Sequence, residues 1–271
     1  MSNKVDLTTY SLYIKTVQSG SIKTLIEALK ELLPEINIEF SASGIKVVAM
    51  DESHTVLVSL NLDSDKFDTF HCPTKLIIGV GLPNLYKIIK SMTQGDILTL
   101  YVKKDEPHKL GIFMENNEKG QVNDVILDLI ELNIEEIDIP DHEYPFSITM
   151  PSVDFQKICR DMKNIQAKRM DITQFNNQLV FTAEGGFARQ ITTRKSGNDE
   201  DKTIKLEKTL PGGIYNGSFN LEKLTEFTKC TGFGGSVKIL MKNEFPLIFI
   251  YPVAALGEIK LCLAPMLPDQ E

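Results

Sequence analysis

Apolar and polar residues alternate with a period of two along most of the chain. Runs such as "INIEFSA", "IKVVAM", "TVLVSLNL", "DILTLYVK", "LGIFME", "DITQF", "QLVFTA", "ARQITTR", "GSVKILMK" and "PLIFIYP" set side chains alternately on two faces, as half-buried strands require. Turn formers in "SASG", "NNEKG", "KSGNDE" and "PGG" separate them. Only four segments, about 21–33, 83–92, 152–165 and 220–230, carry the 3.6-residue spacing of an amphipathic helix. The pattern predicts an α+β chain built of antiparallel sheets with few helices.

Comparing the helices exposes a repeat. "NLYKI" begins at Asn84 and "NLEKL" at Asn220, an offset of 136; each is followed by a glycine and a strand, "GDILTL" from Gly95 and "GSVKIL" from Gly235. Ile22, Leu25, Ile26, Leu29 and Leu32 match Phe155, Ile158, Cys159, Met162 and Ile165 at an offset of 133. Both offsets are close to half of the 271 residues, so the chain reads as two copies of one unit: helix, strands, helix, strands. Domains are expected at 1–128 and 147–271. A connector at 129–146 is expected between them, where "LIELNIEEIDIPDHEYP" interleaves acids with apolar residues.

The helices also share a charge pattern. In "LPNLYKIIKSM" (82–92), Leu85, Ile88, Ile89 and Met92 form one stripe and Lys87 and Lys90 fall opposite it. In "SVDFQKICRDMKNI" the stripe is Phe155, Ile158, Cys159 and Met162, and the opposite side carries Lys157, Arg160 and Lys163. The outer pair is less clean: Lys23 and Lys30 lie beside Glu27 and Glu31, and Lys223 and Lys229 near Glu222 and Glu226. A solvated helix face accounts for cations on a single helix. Their recurrence in a duplicated unit also fits phosphate contact, and cations without a reading motif would bind DNA independently of sequence.

Composition narrows the choice by exclusion. With 42% apolar residues and 24% charged, the chain fits a soluble globular protein with a sizeable core. Its 37 acids outweigh 29 basic residues, a net charge of −8, which argues against a simple basic nucleic-acid binder but not against one concentrated cationic face. No apolar run reaches the roughly 18 residues that span a bilayer, and "MSNKVDLTTYSLYIK" lacks the apolar core of a signal peptide. Cys72, Cys159, Cys230 and Cys262 are scattered, as expected of buried free thiols in a reducing compartment. The four histidines pair with nothing at metal-ligand spacing, so neither a metal nor a cofactor is expected. "MDESH" gathers Asp51, Glu52, Ser53 and His54, but a catalytic site needs a second group converging on them, and none is evident; an enzyme is not expected. G-x-x-x-x-G-K-[ST] is absent, which leaves any ATP-driven step to another protein, and "GVG" at 79–81 is too short to signify a nucleotide site.

Several pieces, in order, carry a family resemblance: "LKELL", "AMDESHTVLVSLNL", "KFDTFHC", "IDIPDHEYP", "MPSVDFQKICRDM" and "LCLAPMLPD". From about Tyr13 to Asp269 the chain resembles the proliferating cell nuclear antigen family of eukaryotic DNA sliding clamps. The resemblance implies the DNA-clamp fold, two similar domains each with two helices packed on antiparallel sheets, assembling head to tail into a closed homotrimeric ring. It implies a processivity factor for replication and repair that encircles double-stranded DNA. Its partners would be a DNA polymerase, nuclease, ligase and other proteins with a clamp-binding peptide, and an ATP-dependent clamp loader. The nucleus is the implied location, or a cytoplasmic replication site if the clamp is that of a large DNA virus. A β-rich structural or scaffold protein that does not encircle DNA is the alternative.

Site residues follow from the same resemblance. Lys23, Lys30, Lys87, Lys90, Lys157, Arg160, Lys163, Lys223 and Lys229 would line the channel. Met50, His54, Leu57, Ile137, Ile139, Pro140, Pro246, Leu263, Ala264 and Pro265 would form the partner-peptide pocket. Subunits would join through edge strands "KLGIFME" (109–115) and "FARQITT" (187–193), with Leu110, Ile112, Phe113, Phe187, Gln190 and Ile191 at the interface. Four features depart from the family. About ten residues precede its usual start, Glu222 stands where it often has a basic channel residue with Lys223 beside it to compensate, Cys262 replaces a pocket aromatic, and "QFNNQ" (174–178) lacks the lysine used for modifier attachment.

Overall fold

One run of eleven elements occurs twice among the described residues of the computed structural model, which are 5–93, 95–133, 137, 142–197, 204–210 and 212–267. The first run is β1 (Tyr10–Thr16), α1 (Ser19–Leu32), β2 (Glu35–Ser41), β3 (Gly44–Met50), β4 (Val56–Asp63), β5 (Thr69–His71), β6 (Leu76–Gly81), α2 (Leu82–Ile89), β7 (Ile97–Lys103), β8 (Lys109–Asn116) and β9 (Gln121–Asp128). The second is β10 (Phe146–Pro151), α3 (Ser152–Asn164), β11 (Arg169–Phe175), β12 (Gln178–Glu184), β13 (Arg189–Lys195), β14 (Lys205–Lys208), β15 (Tyr215–Asn220), α4 (Leu221–Phe227), β16 (Ser236–Met241), β17 (Leu247–Val253) and β18 (Gly257–Leu263).

Strand order repeats as well. The first run places β5-β1-β7-β8-β9 side by side, and β6-β2-β3-β4; the second places β14-β10-β16-β17-β18, and β15-β11-β12-β13. The chain clusters into two units. One holds Met1–Ala49, Ser59–Ile137 and Val253–Glu258, the other Met50–Val58, Asp138–Pro252 and Ile259–Glu271.

Within each unit a helix pair lays its apolar stripe on the sheets: α1 beside α2, α3 beside α4. Ile22, Leu25, Ile26, Leu29 and Leu32 are buried on α1, and Phe155, Ile158, Cys159 and Met162 on α3, so the periodicity identified the buried faces. Two helices are shorter than their periodicity suggests. Helix α2 begins with Pro83 in its first turn and stops at Ile89, where the chain folds into a turn held by Thr93 N–H donating to Asp96 Oδ2 at 2.8 Å. Helix α4 starts on an Asn220 cap that accepts from Glu222 N at 2.9 Å, then tightens into a 3₁₀ segment, Thr228–Phe233. There Thr225 and Thr228 hydroxyls donate to carbonyls of the preceding turn, which competes with regular α geometry.

Sheet ends are treated in matching ways. Ile130 N–H donates to Gly79 O at 3.0 Å and closes part of the outer side of β6; a Cβ on Gly79 would lie 2.2 Å from the Ile130 carbonyl, so glycine permits the approach. At the equivalent place in the second unit, Met266 N–H donates to Ser218 O of β15 at 2.8 Å. One sequence expectation is overturned here. The strand at 109–115 is not an edge: β8 pairs with β7 on one side and with β9 on the other. Leu110 and Ile112 are buried and Phe113 is half-buried, so these three belong to the first unit's own sheet packing. The strongly apolar alternation that suggested an edge is what an inner strand over a core needs. The end of that sheet is the polar strand β9, "QVNDVILD". The other proposed edge, β13, does end its sheet, with Phe187 and Ile191 exposed and Gln190 half-buried.

The two cores are filled differently. In the second unit, Phe155 stacks 4.9 Å from Phe249, and Phe181 and Phe227 complete an aromatic cluster. The first unit is aliphatic at the matching helix position, Ile22, and retains a cavity of about 60 Å³ lined by Ile22, Leu25, Leu29, Ile38, Phe40 and Leu85 among others. At roughly 24 cal/mol per Å³, that void represents about 1.4 kcal/mol of forgone packing. Ile22→Phe is expected to raise the unfolding free energy of this unit by roughly 1 kcal/mol in a urea titration. A loss of stability would mean that the void cannot take a ring.

Candidate nucleic-acid interface and peptide-binding surface

The cations predicted on the helices divide into two groups. Lys87 and Lys90 on and after α2, Lys157, Arg160 and Lys163 on α3, and Lys229 after α4 are exposed. Among the described residues Arg160 has one distant partner, Asp161 at 3.9 Å, and these side chains present charge to solvent from faces opposite the buried stripes. The other group is engaged internally. Lys23 Nζ donates to Met92 O at 2.8 Å, joining α1 to the turn after α2. Lys30 pairs with Glu31 and stands 4.9 Å over the Tyr86 ring.

Lys223 differs most from expectation. Its Nζ lies 3.3 Å from Asp51 Oδ2 and 3.3 Å from Glu226 Oε2. It therefore does not present a free ammonium beside Glu222 and does not make up for that acid. Asp51 is only 5% exposed and is the hub of the Met50–Val56 loop. Thr55 N–H and Val56 N–H donate to its Oδ1 at 2.9 and 2.8 Å, and Ser53 Oγ donates to its Oδ2 at 2.6 Å. Burial pushes the Asp51 carboxyl up, but these donors, with Lys223 behind them, outweigh burial and hold it below the usual carboxylate range. Burial likewise opposes the charge on Lys223, and its two carboxylate neighbours more than compensate, raising it. Glu226 goes the other way, since burial outweighs the single lysine and raises its carboxyl.

This geometry also explains why "MDESH" is not built as a catalytic relay. Ser53 Oγ is spent on Asp51 and Thr55, while His54, in the left-handed region at φ 53°, directs Nδ1 to Met50 Sδ at 3.2 Å. Asp51 holds a tight turn together. Among the described residues, no group of three His, Cys, Asp or Glu side chains is placed to hold a metal ion.

Most of the proposed peptide-binding residues lie in the second unit: Met50, His54, Leu57, Pro246, Leu263, Ala264 and Pro265. Ala264 N–H donates to Thr55 O at 2.9 Å, which brings the chain after β18 beside the Asp51 loop. Met50, Leu57, Pro246, Ala264 and Pro265 are half-buried and His54 is exposed, whereas Leu263 is buried and belongs to the core beneath them. Ile137 is half-buried in the other unit; Ile139 and Pro140 lie outside the described residues. Sequence reasoning missed Tyr144, whose hydroxyl donates to Pro246 O at 3.3 Å and whose ring neighbours Cys262. Burial pushes the Cys262 thiol up to about 11, so it acts here as a small apolar side chain. All four cysteines are free thiols.

The early residues also gain a place. Asp6 caps the 3₁₀ turn Leu7–Thr9, Thr9 O accepts from Lys104 N–H at 3.1 Å, and Tyr10 packs edge-on against Tyr13 and Tyr101. Tyr101 lies across Gly111, where a Cβ would meet its ring at 2.1 Å, and its hydroxyl donates to Asp124 on β9 at 3.0 Å. Burial and then Asp124 push the Tyr101 phenol up to about 12. Three tyrosines within one strand pair were the only available signal, and no motif singled them out.

Comparison with known proteins covers nearly the whole chain. The family model for the proliferating cell nuclear antigen N-terminal domain matches residues 12–137, and that for the C-terminal domain matches residues 138–266. A curated relative from Paramecium bursaria Chlorella virus 1, "Probable DNA polymerase sliding clamp 1", is 33% identical over 260 residues, covering 94% of this chain and 97% of the relative.

Asp51→Asn is expected to lower the unfolding free energy by about 2 kcal/mol, because buried donors lose a charged acceptor. The wild-type contribution of Asp51 is present above its unfolded value near 3.8 and lost as pH falls through its lower folded value. Glu226 has the opposite sign: its raised carboxyl favours folding below 4.5, and that contribution is lost as pH rises through the folded value. Urea titrations of Asp51→Asn and Glu226→Gln at pH 7 check this, with Glu226→Gln expected to be neutral or stabilising. Equal losses in the two variants would contradict the assignment.

Proposed function

The chain belongs to the proliferating cell nuclear antigen family, and from that premise we propose that it is a DNA polymerase processivity factor, a homotrimeric sliding clamp that encircles duplex DNA. The observation that carries the reading is the duplicated unit itself. Each copy has a helix pair with its apolar stripe buried, and exposed cations stand on α2 and α3 at matching turns. Lys87, Lys90, Lys157, Arg160 and Lys163 would meet phosphates through charge alone, without the donor–acceptor geometry that specifies a base. Lys229 joins them; Lys23, Lys30 and Lys223 would act mainly by holding the helices in place.

A closed ring keeps its hold on DNA by topology, so a handful of weak phosphate contacts suffices and leaves sliding unimpeded. Met50, His54, Leu57, Ala264 and Pro265 of the second unit would take an extended peptide from a polymerase, nuclease or ligase, and the resemblance assigns Ile137, Ile139 and Pro140 to the same role. The domain division at 1–128, 129–146 and 147–271 follows from the same reading. Three chains of 30.4 kDa give an assembly of roughly 91 kDa. Loading requires a separate ATP-dependent protein, and the clamp itself contributes no chemistry. Its place is wherever the DNA is replicated, in a nucleus or at a viral replication site. No helix among the described residues is long and apolar enough to cross a membrane.

After loading, the protein is expected to stay on nicked circular DNA and to run off the linearised form. Equal retention on both would favour a scaffold that does not encircle DNA. Reversing charge at Lys87, Lys90, Lys157 and Arg160 together is expected to reduce polymerase processivity about tenfold with the fold intact. Undiminished stimulation by that variant would remove the channel assignment. Serine at Ile137 and Ile139 is expected to weaken a partner peptide by about tenfold in calorimetry without changing the assembly mass.

A further inference from the structure

The repeat that aligns "NLYKI" with "NLEKL" puts Lys223 of α4 at the position of Lys87 of α2, and Glu226 at the position of Lys90. The two copies use these positions in opposite ways. Lys87 and Lys90 are exposed, whereas Lys223 Nζ lies 3.3 Å from Asp51 Oδ2 and 3.3 Å from Glu226 Oε2. The exposed charge on the first turn of α4 is an acid, Glu222. Lys223 and Asp51 belong to the same unit, so the contact is internal to it.

What Lys223 reaches is the turn that presents His54. That residue sits at φ 53°, a left-handed conformation that a side chain other than glycine keeps only where surrounding bonds impose it. Asp51 supplies those bonds. Its carbonyl accepts from His54 N–H at 2.9 Å, its N–H donates to Val56 O at 2.9 Å, and its carboxylate accepts from Thr55 N–H, Val56 N–H and the Ser53 hydroxyl. A carboxylate this deeply buried needs a counter-charge, and Lys223 provides it; without the lysine, Asp51 and Glu226 would be two buried carboxyls with no cation between them. The turn in turn holds the end of the chain. Thr55 O accepts from Ala264 N–H at 2.9 Å, and Met266 N–H donates to Ser218 O at 2.8 Å. Ser218 lies on β15, whose last residue, Asn220, caps α4. The bonds thus form a circuit: α4, the Asp51 turn, the segment after β18, β15 and back to α4.

We propose that Lys223 is a positioning residue for the peptide-binding surface: it fixes Asp51, and through Asp51 the His54 turn and the segment at Ala264–Pro265, and it makes no phosphate contact. The inference rests on the reading above that this surface takes a partner peptide. A lysine already shared between two carboxylates has no charge left over for a phosphate, whereas its repeat equivalent Lys87 has. The titratable groups around Asp51 are Lys223 and Glu226 from α4 and His54 from its own turn, whose Nδ1 faces Met50 Sδ. The folded Asp51 carboxyl is held low, so the turn keeps its charged acceptor above that value and loses it as pH falls through it. Removing Lys223 raises the value and brings that loss to a higher pH.

Lys223→Met, which keeps the stem and removes the charge, tests this on the full chain. The probe is a synthetic peptide spanning the clamp-binding segment of the polymerase that the protein stimulates. The variant is expected to bind it about fivefold more weakly in calorimetry at pH 7, and its affinity is expected to fall off at a higher pH than that of wild type. Lys223→Arg keeps the charge and is expected to stay within about twofold of wild type. Glu226→Gln leaves Lys223 to Asp51 alone and is expected to bind at least as tightly as wild type, which tests the proposal even if Lys223→Met does not fold. Retention on nicked circular DNA is expected to keep its salt dependence in Lys223→Met; a slope lower by about one, with peptide affinity unchanged, would return Lys223 to the phosphates and overturn the proposal. Hydrogen exchange at the Thr55 and Val56 amides reads the turn without any peptide and is expected to be about tenfold faster in Lys223→Met. Unchanged exchange would overturn the positioning role. A wild-type protein that does not bind the peptide, with exchange still faster in the variant, would instead overturn the peptide-surface reading on which the proposal rests.

Discussion

A sheet that does not close on itself leaves backbone N–H and C=O groups unpaired at its ends, and they must find partners or water. This constraint organises the molecule. Strands β5 and β14 are three and four residues long, so little is left unpaired there. The outer sides of β6 and β15 are partly closed by Ile130 and Met266, which reach them from chain segments that follow the last strand of each repeat. Among the described residues the sheet ends that remain open are β9 and β13, and both are marked by charge: Asp124 and Asp128 on one, Arg189 and Lys195 on the other.

Burial of the helix stripes follows from the same sheets. Each pair of sheets needs an apolar cover, and each helix pair supplies it with one side, which leaves the other side free to carry cations. In α2 and α3 that side is exposed and basic. The acidic total of −8 is thus compatible with phosphate contact, because charge acts over about 8 Å at physiological salt and its position outweighs its sum.

Helix α4 departs from this plan for a local reason. Lys223 is drawn onto Asp51, a carboxylate already committed to the Met50–Val56 turn, and onto Glu226. The lysine thereby stiffens the loop that carries His54 rather than offering charge outward. A buried carboxylate with three donors of its own is a better partner than water for a lysine within reach.

Much of this was legible in the sequence. Period-two alternation found ten of the strands, 3.6 spacing found the buried faces of all four helices, and the offsets of 133 and 136 residues exposed the duplication, because burial imposes these periods directly on residue type. The quoted motifs carried the family. The sequence did not identify β9 as the end of its sheet, since "QVNDVILD" has the polar character that edges need and strand patterns penalise. Nor did it separate free lysines from engaged ones, or reveal Tyr144 and Tyr101 as anchors. Those depend on which groups the chain brings within hydrogen-bond distance across tens of residues, and side-chain chemistry alone does not encode such proximity. Periodicity is a property of one element against a core; edges, ion pairs and caps are properties of two elements at once, and only the tertiary structure decides them.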